Sequence, residues 1–153
     1  MRACAEPACY PRAPRMRSLW NDAEARQFID KYCPRNGEDL ALRTYTSRLI
    51  GRDDSLVLHG GGNTSVKTQA KDLLGASLDV LCVKGSGWDL ATIEPQGLPA
   101  VELQPLLRLR AVQAMTDEEM VNQIRIRLLD ASAPTPSVET FLHAFVPRKF
   151  VDH

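Results

Sequence analysis

Three stretches decide how this chain folds: LHGGGNTSVK at residues 58–67, VKGSGWDL at 83–90 and PSVETFLHAFVPRKFVDH at 136–153. The first sets Gly60, Gly61 and Gly62 directly after the apolar run Ser55–Leu58, which reads as a short strand. Glycines let the backbone come close to an anion, and the Asn63-Thr64-Ser65 side chains that follow add donors. The competing reading is a plain tight turn. A nucleotide P-loop is excluded, because Val66, not glycine, precedes Lys67-Thr68. The second stretch ends a buried strand, Leu78–Val83, in Lys84-Gly85-Ser86-Gly87. That is another small-residue loop, either an anion site or a turn. In the third, Ser137 follows the rigid Pro134-Thr135-Pro136 turn and is placed to cap a helix running to about Phe145. Glu139 falls in its first turn, where a carboxylate suits the helix dipole, and His143 lies one turn further on. Pro147 stops that helix, and Phe150-Val151 begins a strand.

The rest of the chain fills in around these loops. Asn21 or Asp22 caps a helix over Ala23–Tyr32, with Phe28 and Tyr32 on one face and Pro34 and Gly37 ending it. A second helix runs from Asp39 to about Ile50 with Leu42, Tyr45 and Leu49 as its stripe. Pro99–Arg110 is apolar but interrupted by Pro105. Thr116 opens a further helix, Glu119 completes a capping box, and Met120, Ile124 and Leu128 form the buried side. Helices alternate with short strands, so the class is α/β.

The chain has 153 residues, one domain at most, 44% of them hydrophobic and 25% charged, with a formal net charge of zero. Nothing in this balance points to nucleic acid, and no apolar run approaches the ~20 residues of a membrane span. Cys4, Cys9, Cys33 and Cys82 form no CxxC pair, and Cys33 and Cys82 read as reduced thiols of a cytoplasmic protein. Residues 1–17 stand apart. Arg2, Arg12, Arg15 and Arg17 face one acid, Glu6, and Pro7, Pro11 and Pro14 rule out an amphipathic helix. This segment reads as a disordered arm, or as a start placed before the true one at Met16, with the folded domain at 18–153.

Taken singly, each loop is weak evidence. Taken in order, Gly-Gly-Asn-Thr-Ser, Lys-Gly-Ser-Gly, Pro-Ser-x-Glu-x-x-x-His and Val-Asp-His resemble the class II aldolase/adducin family, over about residues 19–153. The spelling is most similar to the aldolase half of the bifunctional rhamnulose-1-phosphate aldolase/short-chain dehydrogenases. The resemblance implies a three-layer α/β/α domain around a mixed central sheet, here its N-terminal part, truncated at the C-terminus. It implies Glu139 as catalytic acid/base. It implies Gly62, Asn63, Thr64, Ser86, Gly87 and Ser137 as holders of a substrate phosphate, and His153 as the first of three zinc-ligating histidines. The other two would follow His153, so the zinc site is incomplete and the fragment inactive alone. The implied reaction cleaves a 2-ketose 1-phosphate to a dihydroxyacetone-phosphate-like ketone and an aldehyde. The implied assembly is a homo-oligomer, typically a tetramer, with a possible downstream short-chain dehydrogenase domain. Val138 stands where the family often has a second hydroxyl residue, which leaves a non-phosphorylated or differently anionic substrate open. The alternative is a non-catalytic, adducin-like scaffold of the same fold.

Overall fold

The computed structural model describes residues 17–58 and 60–153. Most of the arm, residues 1–16, therefore lies outside the described residues, as does His59. The chain forms α1 (Asp22–Asn36), α2 (Glu38–Gly51), β1 (Thr64–Lys71), β2 (Ser77–Val83), β3 (Ala100–Glu102), α3 (Leu103–Arg108), α4 (Asp117–Arg125), α5 (Thr140–Phe145) and β4 (Phe150–Asp152). The sheet order is β3-β2-β1-β4. All three pairings are antiparallel, so the parallel component of a mixed sheet is not among the described strands.

Alternation along the strands sorts side chains into two cores. Val66, Val80 and Cys82 join Val57, Leu90, Ile93 and Leu98 on one face, against Leu40 and Ile50 of α2. Leu81, Val83 and Val101 join Leu103, Leu106, Ile124 and Ala144 on the other, from α3, α4 and α5. Successive strand residues point to opposite faces, so the sheet is sandwiched between two helical layers, the expected α/β/α arrangement. No described helix is long and apolar enough to cross a membrane. Cys33 and Cys82 are both free thiols, and burial pushes Cys82 up to about 12.

Several local expectations hold. The Asn21 side chain caps α1 by accepting from Ala23 N and Glu24 N. Thr116 and Glu119 form the capping box of α4, with Ile124 2% exposed on its inner side. Others are corrected. Pro34 does not stop α1. It sits in the last turn, where its ring removes one helical bond, and the helix ends at Asn36 before Gly37 at φ 80°. Ser55–Leu58 is not a strand, because Asp53 captures its N–H groups. The Asp53 carboxylate accepts from Ser55 N, and its carbonyl from Leu56 N and Val57 N. Of the stripe expected on α2, Tyr45 is covered while Leu42 and Leu49 are half-buried; the helix also covers Ala41, Arg43, Thr44 and Ser47. The helix begun by Ser137 starts instead at Thr140 with Glu139 as its cap, after a turn closed by Thr140 N donating to Ser137 O at 3.1 Å.

Gly51 ends α2 in backbone contact with the Leu90-Ala91 segment: a Cβ there would sit 2.2 Å from Ala91 N and 2.4 Å from the Leu90 carbonyl carbon. In an exposed helix, alanine is favoured over glycine by ~1 kcal/mol. Here Gly51→Ala should instead destabilise the domain by ~1–3 kcal/mol, the range typical of overpacking, in urea unfolding. An unchanged or raised midpoint would show that α2 does not dock this closely.

Candidate active site

β1 and β4 meet at their ends through a reciprocal backbone pair. Asn63 N donates to His153 O at 2.7 Å, and His153 N donates to Asn63 O at 3.0 Å. This extends the ladder by one pair beyond Thr64↔Asp152. It joins the glycine loop to the far end of the chain. Gly62 makes the approach possible. Its φ is 68°, and a Cβ would meet Val57 Cγ2 at 2.9 Å and Leu90 Cδ1 at 3.1 Å.

The second and third loops are stitched to the first. Lys84 N donates to Thr64 O, Ser137 N to Lys84 O, and Ser86 N to Thr135 O. The result is a cleft of about 510 Å³ lined by Gly60–Asn63, Lys84–Gly87, Ser137, Glu139, His153 and Leu56. Of the residues singled out by sequence, Gly62, Asn63, Ser86, Gly87, Ser137, Glu139 and His153 thus share one concavity. Thr64 does not. It is fully buried and its Oγ1 lies 2.8 Å from Ser47 Oγ of α2, because strand alternation turns it to the face opposite Ser65. The stitching occupies part of the expected backbone cradle: the N–H groups of Asn63, Ser86 and Ser137 already have protein acceptors.

Glu139 is the focus of the polar contacts. Its Oε2 accepts from Asn63 Nδ2 at 2.6 Å and Ser137 Oγ at 2.8 Å, and lies 3.5 Å from His153 Nε2. The Asn63 and Ser137 hydrogen bonds, with His153 and His143 nearby, hold its carboxyl below the usual range against partial burial. Glu139 is therefore an anion at neutral pH. All three contacts fall on Oε2, leaving Oε1 as the oxygen without a partner among the described residues.

Lys84 belongs to the loop read from sequence as a candidate anion site, in which a lysine could bind the anion. It is 8% exposed and lines the cleft, and its Nζ makes one hydrogen bond, 3.1 Å to Gly60 O. No carboxylate lies within ion-pair distance among the described residues. Burial lowers its pKa, opposed by the charges of Glu139 and Asp89. A lysine following a strand signals this only weakly in sequence, since burial is what distinguishes it from a surface lysine.

Behind the cleft, His143 is fully buried, with Nδ1 2.8 Å from Ser65 Oγ and its ring 5.3 Å from that of His153. Its Nε2 has no partner among the described residues. A catalytic zinc site needs three protein ligands and an open position. Among the described residues no group of three or more His, Cys, Asp or Glu is placed to hold a metal ion.

No protein-family model matches the chain. It is 41% identical over 138 residues to "Uncharacterized oxidoreductase YuxG" of Bacillus subtilis, a match covering 90% of this chain and 19% of that protein. It superimposes with a TM-score of 0.72 on a solved structure described as the N-terminal class II aldolase domain of a conserved protein from Thermoplasma acidophilum. The identity there is 49%, over 75% of this chain and 54% of that one. The chain thus spans about a fifth of the curated relative and about half of the solved domain.

Burial holds the His143 imidazole neutral, its pKa pushed down to about 4, with the neighbouring His153 as second cause. The unfolded ring, near 6.5, takes up its proton first. Its contribution to stability is therefore complete above about pH 6.5 and is lost as pH falls from there toward 4. Thermal unfolding across that window should show a falling midpoint. His143→Gln, whose amide can still bond Ser65, should have a shallower slope. Equal slopes would mean that the ring is not held neutral.

Proposed function

Because the chain belongs to the class II aldolase family, as part of one of its domains, we propose that it carries the acid/base and anion-holding half of a carbon–carbon lyase acting on a 2-ketose 1-phosphate of the rhamnulose-1-phosphate type. The supporting observation is the placement of Glu139, gripped on Oε2 by donors from two loops, in one cleft with the buried, underpartnered Lys84.

In this reading Lys84 takes the substrate's anionic group. Its ammonium has two donor positions beyond the Gly60 bond, and low exposure strengthens the attraction to a phosphate. Ser86 and Gly87 line the same cleft. With the Asn63, Ser86 and Ser137 N–H groups already engaged, Lys84 carries more of the anion's charge than a backbone cradle would. Glu139 moves the proton on the carbon that becomes nucleophilic when the bond to the aldehyde fragment breaks. Asn63 and Ser137 fix Oε2, so Oε1 faces the reacting carbon.

Class II aldolases generally use a divalent metal, and zinc belongs to this proposal with His153 as one ligand. The described residues do not complete such a site. The proposal extends to a homo-oligomer and to a dehydrogenase partner domain. The latter is suggested by the much longer relative, which is named as an oxidoreductase.

The test uses residues 1–153 and a chimera completed from the Thermoplasma acidophilum domain. The 153-residue chain should contain no stoichiometric zinc by elemental analysis and cleave no ketose phosphate, while the chimera should do both. In the chimera, Glu139→Gln should lower cleavage by ~10²–10⁴-fold with zinc retained. Lys84→Met should raise KM by roughly tenfold or more, with a smaller effect on kcat, as expected for loss of one charge-assisted contact. A Gln variant with full activity removes Glu139 from the mechanism. Zinc-replete chimera without cleavage favours the scaffold reading.

A further inference from the structure

Arg43 is 1% exposed in the middle of α2, yet its hydrogen bonding is poor. Nη1 contacts Asp152 Oδ1 at 2.7 Å and Ser65 O at 3.4 Å, while Nε and Nη2 have no acceptor among the described residues. The guanidinium carbon also lies 5.7 Å from the Phe150 ring centre, so Arg43 reads alternate residues of β4 on one face. Burying a guanidinium with two orphaned nitrogens is a poor way to stabilise a core. Well-packed apolar residues in place of such a pair are often neutral or better.

The geometry of β4 supplies a reason for the pair. Among the described strands it lies at the edge of the sheet, registered against β1 by Thr64↔Asp152, Ser65↔Val151 and Val66↔Phe150. Backbone bonds continue the pairing to Asn63–His153 and to Lys67 N–Lys149 O, and a slip of one residue exchanges the faces of every side chain, moving the buried Val151 to the other face. In the observed register Asp152 faces α2 and the next residue, His153, faces the cleft, its ring 5.3 Å from the buried His143. A slip would turn His153 toward α2. The polar side of α2 discriminates between the registers, because only Asp152 at this position meets Arg43.

We propose that the pair between the buried Arg43 and the half-exposed Asp152 is a register lock: it selects the β1–β4 alignment that delivers His153 to the cleft, making Arg43 a positioning residue for the site. The inference rests on His153 being a site residue, but its test does not use the cleavage reaction. The lock therefore stands or falls even in a protein without aldolase activity.

The 153-residue chain is compared with the double variant Arg43→Met/Asp152→Leu, which replaces the pair by apolar side chains. The readouts are the thermal midpoint and the NMR cross-peak between the His143 and His153 rings. The double variant should keep its midpoint near that of the parent, while the ring–ring cross-peak disappears or splits into two sets. Should the double variant fail to fold, Asp152→Asn removes the charge at the half-exposed partner with little change in shape and carries the same readout. A single ring–ring cross-peak of parental intensity in a folded variant lacking the pair overturns the lock.

Discussion

The reciprocal hydrogen bonds between Asn63 and His153 are the constraint on which the site depends. They close the β1–β4 ladder at the point where β1 emerges from the glycine loop, and they bring two distant segments to a single wall. Once that pair forms, the Asn63 amide reaches Glu139 Oε2, and Glu139 is held between the β1 loop and the turn before α5. The Thr64–Lys84 and Lys84–Ser137 backbone bonds then draw the middle loop into the same cleft. The loops use their N–H groups to hold one another, which is why fewer remain for a ligand than glycine-rich sequence suggests.

The two faces of the sheet divide the labour. Toward α3, α4 and α5 the packing is aliphatic, built on Leu81, Val83 and Val101. Toward α2, aliphatic packing is joined by a polar seam: Arg43 meets Ser65 O and Asp152, and Ser47 meets Thr64 Oγ1. Polar groups in a core give directional contacts where apolar ones do not, and the seam lies under the strand ends that carry the site. On the far side Lys67 Nζ donates to the carbonyls of His143, Val146 and Arg148, closing the end of α5 just before β4. Both approaches to His153 are therefore fixed by buried or half-buried cations.

The sequence showed the three loops and their order clearly, because Gly-Gly-Gly-Asn, Lys-Gly-Ser-Gly and Pro-Ser-Val-Glu each follow or precede an apolar run of definite length. It also showed the Thr116–Glu119 capping box, a purely local signal. It misled wherever a tertiary partner decided the outcome. The Ser55–Leu58 run has strand composition, but Asp53 folds it into turns. Thr64 sits inside the anion-like loop, but strand alternation turns it to Ser47. The leucine stripe of α2 was visible, while the burial of Arg43 was not, since an arginine at helical spacing is ordinarily a surface residue. Lys84 stood in a loop legible as a candidate anion site, but its loss of water is a property of the assembled cleft.

Charge in the cleft is nearly balanced, with Lys84 against Glu139. An anionic ligand should engage the lysine side and leave the carboxylate free for chemistry. The most direct measurement is a titration of the 153-residue chain with a small phosphate monoester, followed by amide NMR shifts. One site built from three loops requires the amides of residues 61–63, 85–87 and 137–139 to shift together along a single saturating curve, and requires Lys84→Met to weaken that curve. Shifts confined to one loop, or independent curves for the three, would contradict a shared site.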